Sequence, residues 1–277
     1  MADLNLRYLS YDGITWSAGA QIPNTQSVAA PALAVFNDRL YCVHRGGNDA
    51  ALWYTSFDGS KWATDTPISN YQSVAGPGIA VFGNKLYCVY RPVSDANLRY
   101  ISFDGTSWSA DAQIPNTQSA TDPALAVFND RLYCVHRGGN DAALWYTSFD
   151  GSKWTTDTPI SNYRSAAGPG IAVFGNKLYC VYRPVSDANL RYISFDGTSW
   201  SADAQIPNTQ STAGQALAVF NSVLYCVHRG GNDTALWYTS FDGGKWATDT
   251  PISNYQSAAG PGLALFNGKL YCAHCPG

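Results

Sequence analysis

The sequence predicts an all-β fold assembled from six like units, and three observations predict it. The chain repeats every 46 residues. The pair Asp-Gly returns at Asp12, Asp58, Asp104, Asp150, Asp196 and Asp242, and Leu-Tyr-Cys returns with its cysteines at Cys42, Cys88, Cys134, Cys180, Cys226 and Cys272. Each period consists of short apolar runs separated by turn residues, which is how repeat architectures read in sequence. No stretch carries the 3.6-residue period of an amphipathic helix.

Residues 28–73 show the unit. Pro31 to Phe36 is an apolar run, and Asn37-Asp38 is a tight turn. Leu40 to Arg45 is a second run, followed by the loop Gly46-Gly47-Asn48-Asp49. Leu52 to Phe57 is a third, closed by Asp58-Gly59, and a weaker fourth strand runs from Lys61 to about Ile68. Ser69 to Ser73 reads as a polar link to the next unit. Four short strands joined by turns of this kind form an antiparallel meander. The first three are apolar on both faces, as in a sheet covered on both sides by like neighbours.

Six such sheets around an axis make a six-bladed β-propeller with four antiparallel strands per blade. The blades are expected at 28–73, 74–119, 120–165, 166–211, 212–257 and 258–277 plus 1–27, in a single domain spanning 1–277. The last unit stops after its second strand, and the N-terminal Ala2 to Tyr8 matches Ser94 to Tyr100 of a third strand. The N-terminal strands are thus expected to complete the last sheet and close the ring. A linear β-solenoid is the rival arrangement, but its ends need caps and none is visible.

The units alternate. Those starting at 28, 120 and 212 carry Trp53, Trp145 and Trp237 in the third strand, where the others carry Arg7, Arg99 and Arg191. The full repeat is therefore a 92-residue pair of blades, with near-threefold symmetry and two classes of cleft between blades.

Composition narrows the function. Apolar residues make up 45% of the 277 residues and charged residues only 13%, which excludes disorder. The net charge of −3 gives no basic footprint for nucleic acid. No run approaches the roughly 18 apolar residues of a membrane span. The start lacks the basic and apolar regions of a secretory signal, so a cytoplasmic location, or export without a signal peptide, is expected. Six of the seven cysteines occupy one repeat position, too far apart around a ring for disulfides, whose Cα atoms lie within about 7 Å. They read as reduced and buried. Cys272-Ala273-His274-Cys275 offers too few ligands for a tetrahedral metal, so no metal or other cofactor is expected.

The candidate binding residues lie on the rim that carries the second-to-third strand loops. Arg-x-x-x-Asp recurs at Arg45/Asp49, Arg91/Asp95, Arg137/Asp141, Arg183/Asp187 and Arg229/Asp233. A guanidinium fork and a carboxylate can together bind vicinal hydroxyls. Trp53, Trp145 and Trp237 offer faces on which a pyranose can stack. Two alternatives stay open: each Arg and Asp pair and pin the loop, and the tryptophans pack between blades. The histidines, His44, His136, His228 and His274, follow the repeat without an individual partner in sequence, so no catalytic residue is assigned.

Ser-x-Asp-Gly-x-x-Trp, with Trp16, Trp62, Trp108, Trp154, Trp200 and Trp246, resembles the Asp-box turn of sialidases, which implies a structural role for those residues. The chain as a whole resembles the β-propeller lectins of bacteria and fungi, in its like blades, many aromatics and few charges. That resemblance implies sugars held in clefts between blades and, as partner, glycans or glycoconjugates on a cell surface. The expected function is a multivalent carbohydrate-binding protein without catalysis, not an enzyme. Five intact sites or three strong ones are expected, because Cys275 stands where five other units carry arginine. The alternatives are a protein-interaction or toxin-targeting scaffold, a sialidase-like glycosidase, and an engineered symmetric chain.

Overall fold

The computed structural model describes residues 4–277, and among them there are 23 strands and no helix. One repeat gives the local logic. Ala32–Phe36 is the innermost strand, followed outward by Arg39–Arg45, Ala51–Phe57 and Thr66–Gln72. Leu40 faces Phe57, Cys42 faces Thr55 and His44 faces Trp53 across the middle pair. The inner hairpin turns at Asn37 (φ 46°) and Asp38 (φ 56°). Both central residues are left-handed, which the twist of a two-residue hairpin favours and which Asn, Asp and Gly tolerate.

The fourth strand differs from the expectation. Trp62 makes only an isolated bridge to Phe57, because the Asp58-Gly59 turn folds it straight back. Regular pairing starts at Thr66 and runs through Gln72, so the polar segment expected as a link is itself strand. A bulge divides it: Trp53 pairs with Pro67 and Ala51 with Gln72, with Ser69 at φ 51° between them. A solvent-facing outer edge accommodates both the proline and the polar residues.

The expected six separate four-stranded blades are corrected by the hydrogen bonding. There are four four-stranded blades and one seven-stranded sheet. The larger sheet forms because Ala204–Phe220 runs as a single 17-residue strand. Its first part pairs with Asn189–Phe195 (Arg191 opposite Gln205), and its second with Val223–Gly230 (Leu217 opposite Cys226). The cause is one residue. The other repeats carry Pro31, Pro77, Pro123, Pro169 and Pro261 at this place, and proline has no N–H for a ladder. Gln215 stands there instead, opposite His228, and pairing continues across the link.

One of the four-stranded sheets joins the two ends of the chain. Arg7–Tyr11 pairs with Lys269–His274, Leu9 opposite Cys272, and Ala20–Gln21 forms the outer edge. Ala2 and Asp3 of the matching N-terminal segment, and Met1, lie outside the described residues.

The core lies between repeats rather than within them. Tyr41, Val43, Leu52 and Ile68 pack against Ile79, Leu86, Tyr90, Ile101 and Phe103 of the next unit. An equivalent cluster occupies each junction, including that of the last repeat with the first, where Leu40 and Cys42 meet Leu6, Ile22 and Ala273. The seven cysteines are free and buried within these layers. Burial raises their thiols, that of Cys272 to about 12.

The threefold alternation reaches the axis. Innermost strands begin with Ala32 and Ala124 in one class and with Gly78, Gly170 and Gly262 in the other. A Cβ on Gly78 would lie 2.5 Å from the carbonyl oxygen of Pro123 in the neighbouring unit. Gly78→Ala is therefore expected to cost about 1–3 kcal/mol through overpacking against backbone. Ala32→Gly, at the matching place, costs only about 0.5–1 kcal/mol through chain entropy. Denaturant unfolding of the two variants separates these outcomes.

Candidate functional site

The Asp-Gly turns lie apart from the rim and are structural. Asp58 Oδ1 accepts the backbone N–H groups of Ser60 (2.8 Å) and Lys61 (2.9 Å), and the other five turns are built alike. These bonds hold the Asp104 and Asp196 carboxyls below the usual range. Trp62 packs on Phe57 (5.1 Å between centroids) and edge-on against Tyr8 of the preceding unit (5.5 Å).

On the opposite rim, three repeat positions converge, and they differ by class. In one class the buried His44 holds Asp65 through Nε2 at 3.1 Å, with Trp53 opposite His44 on the third strand. His136–Asp157 (3.1 Å) and His228–Asp249 (3.0 Å) repeat the pair. In the other class Tyr90, Arg99 and Asp111 occupy the same places. Arg99 Nη1 meets Asp111 at 2.6 Å and the Tyr90 hydroxyl donates to it at 3.2 Å; Arg191, Tyr182 and Asp203 do the same. Burial, with the adjacent carboxylate, pushes the Tyr90 hydroxyl far up.

The closing sheet has His274 and Arg7 at these places but Gly19 where the acid belongs. The Gly19 N–H donates to the Tyr255 hydroxyl at 2.5 Å. Among the described residues, neither ring nitrogen of His274 has a partner of hydrogen-bond geometry, although backbone of Cys275 and Gln256 lies close to the ring. Burial, with Arg7 nearby, lowers its imidazole to about 4.

A pocket opens beside each His–Asp pair. The first, of about 250 Å³, is lined by Asn24, Gln26, Gly46, Gly47, Asn48, Asp49, Trp53 and Asp65. Its equivalents, about 240 and 180 Å³, are built around Trp145 with Asp157 and Trp237 with Asp249. Each is made by two repeats: Asn48 Nδ2 donates to Gln26 Oε1 (2.9 Å), and the Gly47 N–H to the Gln26 carbonyl (2.9 Å). The Trp53 indole N–H donates to Asp49 Oδ2 (3.3 Å), and Asp49 Oδ1 accepts from Ala51 N–H (3.0 Å). The room comes from Gly46, where a Cβ would collide with the Asp49 carboxylate and the Trp53 indole.

Six of the sequence-predicted residues meet in these pockets: Asp49 with Trp53, Asp141 with Trp145, and Asp233 with Trp237. The arginines turn elsewhere. Arg45, Arg137 and Arg229 donate through Nε to the carbonyls of Ser73 (2.8 Å), Ser165 (2.6 Å) and Ser257 (2.6 Å). Asp95 and Asp187 cap their own loops by accepting from the N–H of Asn97 and Asn189, both at 2.8 Å. Arg91 and Arg183 each bury an Nε without a partner. Among the described residues, none of the five Arg-x-x-x-Asp motifs forms an ion pair within itself.

Sequence reasoning missed Asp65, Asp157 and Asp249, together with the Asn24 and Gln26 positions. A signal was present: the acid stands 21 residues after each of His44, His136 and His228, and is replaced by glycine after His274.

A separate cavity of about 120 Å³ lies on the axis, lined by Pro31, Pro77, Pro123 and their equivalents. Asp122 stands there alone among glycines and an alanine at its repeat position. It accepts from the Gly76 N–H at 2.5 Å, and burial raises its carboxyl to about 6.

The sequence profile of the DUF6242 beta propeller domain matches residues 10–118 and 109–206. No curated protein matches the chain. Among solved structures, a Hadza microbial sialidase aligns over 94% of this chain and 71% of its own, at 10% identity and a TM-score of 0.65. A mutant of the Aleuria aurantia lectin in complex with α-methyl-L-fucoside aligns over 84% and 82%, at 13% identity and 0.58. An α-L-arabinofuranosidase from Clostridium thermocellum aligns over 80% and 93%, at 18% identity and 0.55. At these identities the likeness is one of fold. The expectation of a non-enzyme is corrected to this extent: it finds no support among these fold neighbours, several of which are glycoside hydrolases or sialidases.

Two outcomes follow from this geometry. Arg45→Ala removes a bond to a backbone carbonyl and is expected to cost about 1–2 kcal/mol in denaturant unfolding, with the Trp53 pocket left in place. His274 gives a pH dependence of known sign. Its imidazole takes up a proton near 6.5 unfolded and near 4 folded, so stability falls by up to about 3 kcal/mol as pH drops from 6.5 to 4. Asp122, raised by burial, contributes the opposite slope over much of that window. His274→Leu leaves Asp122 in place, so the difference between the two unfolding profiles isolates the histidine.

Proposed function

We propose a function for a chain that belongs to the DUF6242 beta propeller domain family: it is a multivalent carbohydrate-binding propeller, with sugars held in the three rim pockets. One observation carries this reading. The same constellation of indole, two carboxylates, two asparagines and a glutamine occurs three times, in pockets of about 180–250 Å³, a size suited to a single sugar ring. A pyranose needs one apolar face and several hydrogen-bond partners; the tryptophan supplies the first, and the Asp49, Asp65, Gln26 and Asn48 side chains supply the second. Each site alone would be weak. Three on one rigid body gain avidity on a repetitive glycan coat without any new contact.

The lectin among the fold neighbours is described as a complex with a fucoside, which is compatible with sugar binding by such a scaffold. A second reading, glycoside hydrolysis at the axis, has its own observation in its favour. Asp122 breaks the symmetry there, and its carboxyl titrates near 6, where a general acid operates.

A glycan array followed by calorimetry tests the proposal. Trp53→Ala, Trp145→Ala and Trp237→Ala together are expected to weaken binding about tenfold, through loss of a stacking surface worth roughly 1–1.5 kcal/mol per site. If no glycan is retained, or if binding survives the triple variant and is lost in Asp122→Asn, the rim proposal fails. Turnover of a fluorogenic glycoside that Asp122→Asn abolishes would instead support the hydrolase.

A further inference from the structure

The rim alternates in charge as well as in shape. Where Trp53 occupies the third strand, Asp65 meets His44 and, among the described residues, no lysine or arginine; where Arg99 occupies it, Asp111 is paired with the guanidinium at 2.6 Å. His44 meets Asp65 through one nitrogen. Its Nε2 lies 3.1 and 3.2 Å from the two carboxylate oxygens, while Nδ1 is buried without a partner. The ring therefore offers Asp65 a single N–H, that of Nε2. Asp49 meets only neutral donors, the Ala51 N–H and the Trp53 indole. Among the described residues, no lysine or arginine lines any of the three pockets. Arg45, on the strand leading into the loop, is held away by the Ser73 carbonyl.

We infer that the three rim pockets select sugars by charge: they favour a sugar bearing a free ammonium group and reject anionic sugars, with Asp65, Asp157 and Asp249 as the specificity-determining residues. The inference rests on the carbohydrate reading of the same pockets. Two carboxylates facing a half-enclosed cavity repel a sialic or uronic acid and attract a hexosamine. The ammonium donates charge-assisted hydrogen bonds to the lone pairs that His44 leaves open on Asp65. The clefts built on Arg99 and Arg191 have their acids compensated and lack this preference.

The test is an array of matched glycans that differ only in carrying an N-acetyl group, a free amine or a carboxylate, read at low salt and at about 1 M NaCl. The free-amine glycans are expected to bind about tenfold more tightly than their N-acetyl counterparts at low salt, with the advantage largely screened at high salt. In the triple variant Asp65→Asn, Asp157→Asn and Asp249→Asn, the ratio of free-amine to N-acetyl binding falls toward one and no longer changes with salt, whatever the change in overall affinity. Asparagine keeps an oxygen to accept from His44 Nε2, so the melting temperature stays close to that of the parent. Should the variant fail to fold, the salt comparison on the parent chain decides alone. Equal binding of amine and N-acetyl forms, or retention of acidic glycans, overturns the charge selection and leaves the carbohydrate reading standing. Retention of no glycan of any class overturns both.

Discussion

Every sheet in this chain is apolar on both faces, and that single constraint organises the rest. A repeat of 46 residues has no second layer of its own. Leu40, Cys42, Val43, Leu52 and Ile68 are fully buried only because a neighbouring repeat lies on each side. Closure follows, since an end repeat would leave one such face in water. The chain ends meet within one sheet, Leu9 opposite Cys272, and the apolar layer is continuous from the last repeat to the first. Stability here is a property of junctions, as in other repeat proteins.

Stacking of like units also explains why function concentrates where they differ. The second-to-third strand loops and the links between repeats are carried to one rim, so a position can change there without disturbing the layers. Trp53 against Arg99 is the decisive case. Both side chains project from the same place on the third strand, opposite His44 in one class and Tyr90 in the other. The arginine closes on Asp111, whereas the tryptophan leaves Asp65 facing an open pocket with Asp49 beside it. One substitution, repeated threefold, divides the rim into acidic pockets and neutral, pinned clefts. The closing sheet belongs to neither set, having His274 but Gly19 in place of the acid.

Much of this was legible in the sequence, and the failures have physical causes. Periodicity revealed the strands, the turns, the two classes and the interdigitated core, because those depend on pattern. The sheet count was misjudged because one proline was overlooked: Gln215 restores an N–H that the other repeats lack, and two ladders fuse through Ala204–Phe220. The outer strand was misplaced because its polarity resembles a link, although the edge of a sheet is polar for the same reason. At the site, Trp53 and Asp49 stood out by residue type. Arg45 did too, but a side chain with several donors is as easily satisfied by a backbone carbonyl as by a ligand, and sequence does not distinguish them. Asp65 was missed because its meaning lies in pairing with a histidine 21 residues away, across two strands.

The threefold alternation makes the number of sites a direct measure of whether the pockets, rather than the axis or every cleft, bind ligand. Native mass spectrometry of the chain with the best glycan from an array counts them at saturation. Three bound copies per chain, filling as equivalent sites, is the result expected from three acidic pockets of like construction. A series that stops at one, or that continues to five or six, contradicts it.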